Sequence, residues 1–155
     1  MAFRLRRDAR RWFQDISADF DVDFDMYYLC LLAGLAAGGR RSEVRTTDTT
    51  ELVDYFPGPY KEKGRVIIAL FLATEIERIG IAKSDREAVH KQIRELVDPR
   101  TPSQLSDQGR KMMNAISSGG FELLTEQFDD RPRSIESFLV RFNGLISSDE
   151  LQFRE

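Results

Sequence analysis

Apolar positions along most of this chain recur at helical spacing. The start is different. Phe3-Arg4-Leu5-Arg6 alternates apolar and basic, the period of a short strand with Phe3 and Leu5 on one side and Arg4 and Arg6 on the other. From Arg7 to about Ser17 the period lengthens, and Ala9, Trp12, Phe13 and Ile16 share a helical face. Asp19–Asp25 alternates again and reads as a strand or an extended connector. Asp25 then predicts the N-cap of a helix over Met26–Ala37, with Gly38-Gly39 as its stop. Residues 40–50 read as a polar loop, and Pro57-Gly58-Pro59 as a turn.

Eight successive apolar residues, Val66 to Ala73, predict a third helix from about Glu62 to Ile79. Being apolar on nearly every side, it should be the central element, with Leu70 buried. Ser84-Asp85-Arg86-Glu87 predicts a capping box before a fourth helix whose buried stripe is Val89, Ile93, Leu96 and Val97. Thr101-Pro102 places proline at the first position of a fifth, polar segment reaching Ser117. Gly119-Gly120 should break it, leaving a short sixth helix over Phe121–Phe128. Ser134 caps a seventh over Ile135–Ile146, with Phe138, Leu139, Phe142 and Leu145 inward. The expected fold is all-α: a compact bundle of six to seven helices with a short N-terminal strand, one domain over 1–155. A seam near 98–108 would separate a core (1–97) from a C-terminal helical extension (109–155) that packs on the N-terminal helices.

Composition narrows the function classes. At 155 residues the chain is long enough to bury a core, and 41% apolar with 32% charged residues describes an ordered domain. Cys30 and His90 are each the single residue of their type, so one chain cannot build a disulfide or a multi-histidine metal site. A reducing cytoplasm is the expected compartment, and the longest apolar run is far short of the roughly 20 residues of a membrane span. Cys30, within Leu29-Cys30-Leu31-Leu32, reads as a small buried hydrophobe, and His90 as a partly exposed surface residue. The aspartates between Asp19 and Asp25 read as a solvated connector rather than a cation loop, since the glycine and terminal glutamate of an EF-hand are missing. No phosphate-loop, dinucleotide, zincin or nucleophile-elbow motif occurs in the sequence. No cofactor and no catalysis are expected.

Charge gives the candidate site. Five arginines face only Asp8 within residues 1–14, while five aspartates follow within residues 15–25. Strand, helix, connector, helix is the order of a ribbon-helix-helix module, in which two copies pair their strands and enter the major groove. On that reading Arg4 and Arg6 face outward, and Arg7, Arg10, Arg11, Arg40 and Arg41 add phosphate contacts. The plain alternative is a solvated face whose arginines pair with Asp8, Asp15 or the acidic connector.

The opening FRLRRDARRWFQDI, followed by the cysteine-containing MYYLCLLAGLAA, resembles the start of DndE, the small helical subunit of bacterial DNA sulfur-modification (phosphorothioation) systems. YFPGPYKEKGRVIIALFLATEIERIGI is similar in layout to that family's aromatic-glycine segment and long apolar helix. The resemblance covers about the first hundred residues and has no counterpart for Asp98 to Glu155. It implies a non-catalytic, homo-oligomeric subunit that binds DNA through basic surface residues beside a cysteine desulfurase and ATPase partners. Only the N-terminal arginines map onto it. The expected function is therefore DNA binding or assembly within a phosphorothioate-modification or related defence system. The alternative is a structural adaptor that docks a larger protein without nucleic acid.

Overall fold

The structure, a computed structural model, describes residues 2–148. It is predominantly helical, with one two-stranded ribbon near the N-terminus. In chain order the elements are β1 (Arg4–Arg6), α1 (Arg7–Trp12), α2 (Phe24–Ala36), β2 (Thr49–Glu51), α3 (Gly64–Ile79), α4 (Arg86–Leu96), α5 (Asp107–Gln127) and α6 (Ile135–Ile146). Short 3₁₀ turns lie at Gln14–Asp19, Thr46–Asp48 and Gly58–Tyr60.

β1 has the expected alternation: Leu5 is buried while Arg4 and Arg6 are half-buried. Its partner, however, lies in the same chain. β2, overlapping the end of the stretch expected to be a loop, pairs with it antiparallel, Leu5 opposite Thr50 and Arg6 opposite Thr49. On the other edge the Arg4 amide donates to Asn114 Oδ1 of α5 at 3.2 Å. One edge is thus filled by β2 and the other is covered at Arg4, which replaces the expected ribbon between two copies.

The central packing is α2 against α5, and the expected core helix α3 lies outside it. Val66 is 60% and Leu70 47% exposed, because the helix buries only the Ile67, Ile68, Phe71 and Glu75 side. An unbroken apolar run can wrap a helix whose outer face is uncovered. Gly119-Gly120 does not break α5, which runs straight through both residues. These glycines serve close approach: a Cβ on Gly120 would fall 1.7 Å from the Cys30 carbonyl oxygen, and one on Gly34 2.4 Å from that of Ile116. Small residues let the two helix backbones touch.

Several boundaries differ for local reasons. Asp25 does not cap α2 but sits in its first turn, accepting bonds from the Asp21 and Val22 amides at 3.0 and 3.3 Å. Asp85, not Ser84, caps α4 by accepting from Ala88 N at 3.2 Å. Pro102 opens no helix; residues 98–106 form a turn closed by Asp98 N to Gln104 O at 2.9 Å, and Ser106 caps α5. Leu139 is exposed, while Phe138 and Phe142 are buried as expected.

Two aromatic groups lock the ends. Phe3, Phe24, Tyr27, Phe56 and Tyr60 meet edge-on or tilted beneath the ribbon. Trp12 meets Phe13, Phe121, Phe128 and Phe138 edge-to-face, fastening α1 to α5 and α6. No helix among the described residues is long and apolar enough to cross a membrane.

Candidate nucleic-acid interface

Thr49 organises the first cations. Almost fully buried, it donates from Oγ1 to the Thr46 carbonyl at 2.8 Å, which fixes the strand entrance. Arg4 Nε donates to Thr49 Oγ1 at 2.8 Å, and Arg7 Nε approaches the Thr49 carbonyl at 3.5 Å. Neither arginine pairs with a carboxylate among the described residues. Arg11, one turn beyond Arg7 on α1, is exposed and likewise unpaired there. Arg4 also lines a cavity of about 800 Å³ between the ribbon, the 41–49 segment and α5, whose lining includes Lys111 of α5 and the carboxylates Glu43 and Glu51.

The other four candidates are neutralised within the chain. Arg6 binds Asp8 at 2.7 Å and Glu122 at 3.0 Å, and its guanidinium lies 5.1 Å from the Phe121 ring centre. Burial opposes its charge, but the hydrogen bonds it donates to Asp8 and Glu122 and their negative charges outweigh that and hold it above the ordinary arginine value. Arg10 reaches Asp23 of the acidic connector at 3.1 Å. Arg40 grips Glu126 with two bonds, at 2.6 and 2.8 Å, which raises its pKa. Arg41 holds Glu75, whose side chain is fully buried, and Arg78 completes that triad at 3.1 Å. A buried carboxylate needs such company, since removing one partner leaves a poorly solvated charge.

Asp23 and Asp25 of the acidic connector are spent on structure. Asp25 also accepts from the Tyr60 hydroxyl, and burial together with this carboxylate pushes the phenol well up. Asp15 lies 3.4 Å from Arg131 and 3.5 Å from Arg133. No group of potential metal ligands occurs among the described residues. Cys30 is fully buried, and burial pushes its thiol far up; His90 is exposed.

Glu122, Glu126 and Glu75 decide which arginines remain available, and the sequence reading did not single them out. They reach back over 116, 86 and 34 positions, so no local spacing reveals the pairs. Lys111 was also missed, beside Arg110, whose guanidinium turns inward to Asp107. Comparisons with protein-family models, curated proteins and solved structures find no match to this chain.

Proposed function

We propose that this chain is a non-catalytic subunit that holds a nucleic-acid backbone through a narrow cationic strip made of Arg4, Arg7, Arg11 and Lys111. The observation that carries this reading is the pair Arg4 and Arg7, both steadied on Thr49 and both without a carboxylate partner among the described residues. Prepositioned arginines suit phosphate because the guanidinium fork matches two oxygens at little entropic cost. A strip this small reads no sequence; it supplies phosphate contacts only. In the setting the DndE resemblance implies, a cysteine desulfurase and ATPase partners would supply the chemistry. The buried Cys30 is consistent with a chain that does not itself carry sulfur.

The adaptor reading has its own support, because Glu122 and Glu126 remove Arg6 and Arg40 from the cationic surface. Anisotropy titration of a labelled duplex at several salt concentrations separates the two. With up to four phosphate contacts, log affinity against log salt should fall with a slope near −3 to −4, following roughly 0.9 per contact. Absence of binding at low salt removes the nucleic-acid reading and leaves the adaptor.

A further inference from the structure

The outer face of α3 carries a pattern that is complementary to itself. Lys63, Val66, Leu70, Ala73 and Glu77 follow the 3-4-3-4 spacing of a coiled-coil seam, and all five are exposed. Lys63 is the residue from which α3 starts, and Glu77 lies in its last turn. Its ends are equidistant from Leu70, the cation Lys63 seven residues before and the anion Glu77 seven residues after, with Val66 four before and Ala73 three after. A second copy laid antiparallel therefore sets Leu70 against Leu70, Val66 near Ala73, and Lys63 opposite Glu77 at both ends. This is the isologous contact a two-fold axis demands. Field effects agree. Lys61, Lys63 and Arg65 outnumber Glu62 at the N-terminus of α3, where the helix dipole disfavours cations. Lys63 has only the Tyr60 ring, at 6.0 Å, beside it among the described residues; an antiparallel neighbour brings a carbonyl end and Glu77 alongside.

We propose that two copies of this chain associate through antiparallel α3 helices, with Leu70 on the two-fold axis and Lys63–Glu77 pairs closing the seam. One helix face buries less than the ~800 Å² per partner of a standard interface, so the dimer is weak and concentration-dependent. The contact is separate from the arginine strip and is tested without nucleic acid.

Sedimentation velocity over a concentration series should show a monomer–dimer equilibrium. Leu70→Glu, at a position nearly half exposed in the monomer, should raise the dissociation constant by about tenfold or more. Lys63→Glu alone and Glu77→Lys alone should each weaken the dimer, and the two combined in one chain should restore it. Leu70→Cys should cross-link to its mate on mild oxidation, with the buried Cys30 unreactive. A monomer at every concentration overturns the proposal. So does a dimer indifferent to Leu70→Glu, or one that the charge swap fails to restore.

Discussion

The Cys30 carbonyl oxygen on α2 sits 1.7 Å from where a Cβ on Gly120 would begin. The nearest obstacle is backbone, so no rotamer change relieves it. Gly120→Ala should push α2 and α5 apart and cost about 3 kcal/mol or more, at the upper end of overpacking effects. Denaturant unfolding checks this, and the alanine variant's midpoint should fall well below that of the wild-type chain.

Leu70 and Phe138 make a contrasting pair. Leu70 is nearly half exposed, whereas Phe138 is 2% exposed and touches Trp12, Phe13, Phe128 and Phe142. In dilute, monomeric solution Leu70→Ala should change stability by no more than about 0.5 kcal/mol. Phe138→Ala should cost about 3–5 kcal/mol through lost burial and a residual cavity. Thermal melts of both variants at one low concentration supply the comparison.

The helices and the β1 alternation were legible because local period reports them. What could not be read is the long-range matching. Thr49-Thr50-Glu51 is too short and too polar to announce a strand; β1 recruits it across more than forty residues. A glycine pair ends helices in one context and lets them touch in another, and only the neighbour decides. Gly119-Gly120 met a neighbour. The apolar run of α3 shows the same limit, since hydropathy records that Val66 and Leu70 avoid water, not that an intrachain partner covers them. The candidate site was half legible. The arginines announced themselves, but the glutamates that neutralise Arg6, Arg40 and Arg41 lie on α5 and α3, remote in sequence.

Tyr60 gives a pH dependence of known sign. Its phenol has an ordinary value of 10.0 and is raised in the folded chain, by burial first and by Asp25 second. Between the unfolded and folded values the native state keeps a proton that the unfolded chain has lost. Its contribution is complete below pH 10 and declines as pH rises above it, by up to about 1.4 kcal/mol per pH unit. Tyr60→Phe should be less stable at neutral pH, through loss of the bond to Asp25, yet show a shallower decline between pH 10 and 11. Urea titrations at stepped pH measure both.

The pairing pattern of the arginines makes the nucleic-acid proposal sharper than a plain charge count. Arg4→Ala and Arg7→Ala each remove a cation that pairs with no carboxylate among the described residues, so each should weaken duplex binding and reduce the salt slope by about one. Arg40→Ala removes a cation already held by Glu126, so the slope should stay unchanged. Asp23 gives the converse. It faces Arg10 at 3.1 Å, with Asp23 exposed and Arg10 half-buried, so Asp23→Asn should cost little stability while freeing Arg10 for phosphate. Affinity should then rise at low salt and the slope steepen by up to about one. Anisotropy titrations of these four variants over one salt series decide the matter. If Arg40→Ala lowers the slope as much as Arg4→Ala, the intrachain pairs do not partition the surface and Thr49 does not mark the contact.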